Sequence, residues 1–230
     1  MKWLLSYLSA EKEKIAGLSG PKAKAEYIWQ YYKLWIIGIV CAVTLLGYIL
    51  YQVNTALAEN WLYVTFTNTY EEVGTGSDLW EDFVEYGDFD LTEKNVVFNN
   101  SSYFDYASNQ GVGNTYYEVF VSYVDAGTLD CVTMEKDSLV ALGSTGRLLD
   151  LNSEECASIV EKYGDRLVYC EPYDEDYSDD LVPVGIDVSD TCLMTEYQLY
   201  EDSCVIGIGA YSQNLDAVEL FLDYLIGEVS

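Results

Sequence analysis

The residues able to do chemistry in this chain are acids, amides, hydroxyls and thiols, because it contains no histidine. A serine or cysteine nucleophile working with an imidazole base is therefore excluded. The six cysteines are Cys41, Cys131, Cys156, Cys170, Cys192 and Cys204, and no two stand at the CxxC spacing. Zinc and dithiol redox motifs have no support, and no cofactor or metal is expected. Cys170, Cys192 and Cys204 fall in one stretch, where a disulfide among them would act as a staple in an oxidising compartment. Buried thiols are the alternative reading. The run "EPYDEDYSDD", Glu171 to Asp180, offers hard oxygen ligands but lacks the alternating ligands and glycine of a calcium loop, so it reads as a solvated acidic loop. What remains is three small polar clusters: Thr67, Asn68 and Thr69; Asn99, Asn100, Ser101 and Ser102; and Glu135 with Lys136. Tyr103, Phe104 and Tyr106 follow the second cluster and suit either stacking on a sugar or peptide or packing in the core.

Each polar cluster ends an apolar run, so the runs must be placed first. "WLYVTFTNT", 61–69, alternates and is rich in β-branched and aromatic types, which reads as a strand. Ser77 then caps a helix whose face is Leu79, Trp80, Phe83 and Tyr86. Val96 to Asn99 is the second strand. Residues 114–124 read as a helix capped by Asn114, with Tyr117, Phe120, Val121 and Val124 inward, although "YEVFVSYV" would also suit a strand. A third strand spans 129–134 and a helix 137–143. A helix capped by Ser153 follows, then the strand "RLVYC" and a loop, 171–183. "VGIDVSD" and "SCVIGIGA" are two more strands, and the last helix carries Leu215, Val218, Leu222 and Leu225 on one stripe. Strands alternating with helices imply parallel βαβ units in a layered α/β domain. Ligands of such sheets bind beyond the carboxyl ends of the strands. That rule makes Thr67, Asn68, Asn99, Asn100, Ser101, Glu135 and Lys136 the ligand-binding candidates.

Charge divides the chain in two. Of 11 basic and 39 acidic residues, six lysines and three glutamates lie in residues 1–54, which leaves five basic and 36 acidic residues, a net charge of −31, for residues 55–230. Such a domain repels phosphate backbones, so nucleic acid is not an expected partner. The first part ends in "LWIIGIVCAVTLLGYILY", Leu34 to Tyr51, with Tyr27, Trp29, Tyr31, Tyr32 and Trp35 crowding one end and Tyr48 and Tyr51 at the other. About 20 apolar residues cross a bilayer, and aromatic residues favour its interfaces. The expected organisation is a basic leader, 1–33, a transmembrane helix, 34–54, embedded in the lipid bilayer, and an α/β domain, 60–230. All six leading lysines precede the segment, which predicts a cytoplasmic N-terminus and an external C-terminal domain. Cleavage after Ala58, at Ala56-Leu57-Ala58, competes with a retained anchor.

"YEVFVSYVDAGTLDCVTMEKDSLVALGSTGRLLDLN" resembles a segment of bacterial extracellular solute-binding proteins of the type II periplasmic-binding fold. In that family a helix ends in Ala-Gly-x-x-Asp, a strand and a helix follow, and a Gly-x-Leu-x-Asp-Leu edge leads to the hinge. Ala126-Gly127, Asp130 and Gly146 to Leu151 match in order. The C-terminal "VIGIGAYSQNLDAVELFLDYLIG" resembles the family's return strand and last helix. "VGIDVSD" followed by a return strand also resembles small membrane-anchored relatives from Gram-positive anaerobes, which have the same basic leader and tyrosine-tryptophan flank. The resemblance implies a reduced type II periplasmic-binding-protein-like layered α/β domain behind a transmembrane helix. It implies a binding or assembly role without catalysis, with a small solute (a sugar, amino acid or peptide) or a membrane permease as partner. The alternative is a scaffold or accessory subunit of a membrane complex that uses the fold only for protein contacts. Family members usually have two lobes, whereas here only residues 153–204 separate the edge motif from the return strand.

Overall fold

The computed structural model describes residues 16–18, 20–56, 60–91, 93–106, 113–174 and 180–227. The chain divides into two compact units, 1–58 and 59–230.

The first unit holds helix α1, Pro21–Ala56, of 36 residues. The most apolar 18-residue window within Pro21–Leu50 has a mean hydropathy of 2.1, and none of it is buried within the protein. A core helix of a globular domain hides one face. This one exposes Leu34, Trp35, Ile39, Val43, Leu46 and Leu50 on all sides. It is long and apolar enough to cross a membrane.

The second unit is a mixed α/β domain around an open six-stranded sheet. The strands are β1 (Asn60–Thr67), β2 (Asn95–Ser102), β3 (Cys131–Met134), β4 (Leu167–Cys170), β5 (Val182–Asp187) and β6 (Val205–Ile208), in the order β2-β1-β3-β6-β5-β4. The helices are α2 (Asp78–Gly87), α3 (Thr115–Asp125), α4 (Lys136–Gly143), α5 (Ala157–Tyr163), α6 (Cys192–Thr195) and α7 (Leu215–Gly227). Successive side chains of β1 serve opposite faces. Leu62, Val64 and Phe66 join a core with Phe83 of α2, Ile159 of α5 and Phe221 of α7. Tyr63 points into a second core with Phe120 of α3 and Leu139 of α4. Residues 62–67 are all buried, so β1 is covered on both faces and lacks the solvent-facing side that its alternating sequence suggests.

The expected caps form at α2 and α3. Ser77 accepts the Trp80 N–H at 3.4 Å, and Asn114 accepts the Tyr116 N–H at 2.9 Å, which settles residues 115–125 as helix. At Ser153 the chain instead takes a 3-10 turn, Glu154–Cys156, before α5, and the serine side chain makes no capping bond. The expected parallel βαβ units form in one half of the sheet. β1 is parallel to β2 and β3, but β3–β6, β6–β5 and β5–β4 are antiparallel. A parallel return needs a crossover of a dozen or more residues, usually helical. No helix joins β4 to β5 among the described residues, and between β5 and β6 the only one is the four-residue α6. β5 also begins earlier than the sequence suggests and includes Pro183, opposite an irregularity between Val168 and Tyr169. A bulge is one of the few places a sheet tolerates proline.

Candidate functional site

Because β1, β2 and β3 run parallel, their carboxyl ends meet at one edge of the sheet, and most of the expected ligand residues collect there. Their side chains, however, are largely engaged with the protein itself. The Thr67 hydroxyl is fully buried and donates to the Thr133 carbonyl at 2.9 Å. Asn68 sits in the left-handed region at φ 54°, and its amide donates to the Phe104 carbonyl at 2.7 Å. Asn99 lies inside β2 rather than beyond it. Its amide donates to the Tyr63 hydroxyl at 3.0 Å, and its Oδ1 accepts the Ser101 N–H at 2.9 Å. Burial pushes the Tyr63 phenol up to about 12, with Tyr123 adding to the shift and the Asn99 bond opposing it. Lys136 uses its backbone N–H to bond Ser203 at 3.0 Å. Glu135 is the titratable centre of the edge. Partial burial raises its carboxyl above the usual range, and Asp202, Asp105, Asp137 and Glu201 around it raise it further.

One opening at this edge was not legible in the three clusters. A cavity of about 480 Å³ lies between the β1–α2 loop and residues 196–199, lined by Glu71, Glu72, Asp78 and Glu196 over Val73 and Leu199. The Tyr70 N–H donates to the Leu199 carbonyl at 3.0 Å and joins the two walls. A neighbouring hollow of about 360 Å³ includes Asn100, the one amide of its cluster that faces open space there. The strand-end rule, extended past Thr69 into "EEVGTGSD", would have reached the first wall. Nothing in the sequence signals that residues 196–199 form the second. A cavity with four carboxylates and no lysine or arginine in its lining suits a cation and opposes an anion.

The aromatic cluster splits. Phe104 is buried against Phe120, with ring centres 5.1 Å apart, and Tyr106 packs on Tyr117. Tyr103 stays exposed beside Tyr116. Of the two readings of Cys170, Cys192 and Cys204, a staple or free thiols, the structure has them as free thiols. Cys170 belongs to the core on the α3–α4 face, while Cys204 and its neighbour Cys192 lie on the opposite face, so the sheet stands between them. Burial pushes the Cys204 thiol well up, as suits an inert core cysteine. Residues 175–179 of the acidic run lie outside the described residues. Among the described residues, no group of three or more acids and thiols is arranged to hold a metal ion.

The Ala126-Gly127 and Asp130 motif lies at the opposite edge and has a structural task. Gly127 turns at φ +64°, where a Cβ would stand 3.0 Å from the Tyr211 carbonyl oxygen. Asp130 is fully buried. Its carboxylate accepts the Tyr63 N–H at 2.8 Å, the Ser212 hydroxyl at 2.7 Å and the Asn214 amide at 3.2 Å. It ties β1 and β3 to the turn that leads into α7.

Comparison with protein-family profiles, with curated proteins and with solved structures gives no match.

Proposed function

We propose that the chain is a membrane-anchored, solute-binding-like protein whose 59–230 unit works outside the cytoplasm in a binding role, without catalysis. The observation that carries this reading is the acid-lined cavity at the strand-end edge, in the region where an α/β sheet presents its ligands. Its four carboxylates point to a cationic solute, such as a basic amino acid or a short basic peptide, taken up for a membrane permease. The six lysines that precede the apolar segment Leu34 to Tyr51 support the orientation. The test is thermal unfolding of the full chain in detergent with lysine, arginine, a basic tripeptide, neutral sugars and acidic amino acids. A ligand at 100 times its dissociation constant adds about 2.7 kcal/mol of stability. A shift with the basic probes, lost in Glu72→Gln with Glu196→Gln, is expected; no shift with any probe would sink the reading. Protease added to intact cells tests the orientation, because it should digest the 59–230 unit.

A second reading is a scaffold or accessory subunit that uses the fold only for protein contacts. It is favoured by the internal engagement of Thr67, Asn68 and Asn99, which leaves few polar groups to grip a solute. It predicts a larger assembly in native gels of solubilised membranes, dissociated by Glu196→Lys and indifferent to small solutes.

A further inference from the structure

A second cavity, at the opposite end of the sheet, has a different chemistry. Its volume is about 300 Å³, within the range of small-molecule sites. β4 and β5 supply an apolar floor through Cys170, Val182 and Val184, and Leu148 forms a wall. Tyr173, 70% exposed, stands at the mouth. A Cβ at position 146 would lie 3.0 Å from its ring, so Gly146 is what lets the ring come this close. The polar lining is Asp150, Ser153 and Glu171, with no lysine or arginine. Both carboxylates act on the same point, because after burial it is Asp150 and then Glu171 that hold the Cys170 thiol up. Asp150 also accepts the Asn152 N–H at 2.8 Å, which fixes its orientation.

We infer that this cavity binds an organic ammonium ion, its apolar body on the Cys170–Val182–Val184 floor and its cationic head between Asp150 and Glu171 beside the Tyr173 ring. An anion of the same shape meets two carboxylates. A neutral molecule gains the floor but neither the ion pairs nor the cation–π contact. The site shares no lining residue with the strand-end cavity, so it stands or falls apart from the function proposed above.

The test is calorimetric titration of the full chain in detergent with benzylammonium, and with benzyl alcohol and benzoate as its neutral and anionic counterparts. Benzylammonium should bind saturably at one site, at least about tenfold more tightly than benzyl alcohol, while benzoate gives no heat. Glu171→Gln and Tyr173→Ala, both at exposed positions outside the core, should each weaken it about tenfold. Glu72→Gln in the other cavity should leave it unchanged. Absence of benzylammonium binding, equal binding of benzoate, indifference to both Glu171→Gln and Tyr173→Ala, or loss in Glu72→Gln would each overturn the inference.

Discussion

Asp130 is the one buried acid among the described residues. Replacing it with alanine strands the Tyr63 N–H and the Ser212 hydroxyl, each at about 1–3 kcal/mol, while the Asn214 amide keeps its bond to the Asn60 carbonyl at 3.2 Å. Asp130→Ala should therefore lower unfolding stability by about 3 kcal/mol or more in urea titration, and Ser212→Ala by about 1 kcal/mol. Equal small losses would mean that water replaces the network. Burial holds the Asp130 carboxyl above its ordinary value, against the Ser212, Tyr63 and Asn214 bonds. Its folded form thus binds a proton more readily than the unfolded chain does. The associated stability is present below the ordinary carboxylate range and lost as pH rises through the raised value. Glu135 follows the same sign for a different balance of causes, partial burial first and its four acidic neighbours next. Glu135→Gln should raise the melting temperature at pH 7 and lose that advantage below about pH 4, where the carboxyls are protonated. A constant advantage across that range would rule out charge repulsion as the cause.

At the scale of elements, the sequence was legible where local chemistry decides and opaque where distance decides. Asn114 ahead of an apolar face is a local signal, and it correctly chose helix over strand at 115–125. Asn114→Ala should cost about 1 kcal/mol in urea titration, since the Tyr116 and Tyr117 N–H groups lose their acceptor. The directions of β4, β5 and β6 depend on whether their connections are long enough to cross the sheet, which no single residue announces. The acidic cavity follows the same logic. Glu71 and Glu72 stand in a readable strand-end loop, but Glu196 reaches them only because β6 returns between β3 and β5. The edge of β2 was equally hidden. Thr75 accepts the Phe98 N–H at 3.0 Å through its hydroxyl, and its own N–H donates to the Phe98 carbonyl at 2.9 Å, so a loop covers an edge that would otherwise invite pairing.

For the whole molecule the governing quantity is charge. Residues 55–230 hold 36 acids against five cations, and four of those cations are already committed. Lys94 lies 4.4 Å over the Trp61 ring, Arg147 pairs with Asp125 at 3.4 Å, Arg166 pairs with Asp190, and Lys162 sits between Glu219 and Asp223. The remaining carboxylates repel one another across a compact surface, and unfolding moves them apart. Salt reduces that repulsion, because the screening length falls from about 30 Å at 10 mM to about 8 Å at 150 mM. It also weakens the few exposed ion pairs, but such pairs contribute only about 0–1 kcal/mol each. Repulsion among the many should outweigh attraction among the few, so the melting temperature should rise between 10 and 150 mM sodium chloride. Sucrose at matched osmolality, which leaves charges unscreened, controls for exclusion effects. A melting temperature that falls with salt would mean that the ion pairs of Lys162 and Arg166 dominate the surface, and the case for a cationic ligand, which rests on unbalanced negative charge, would lose its footing.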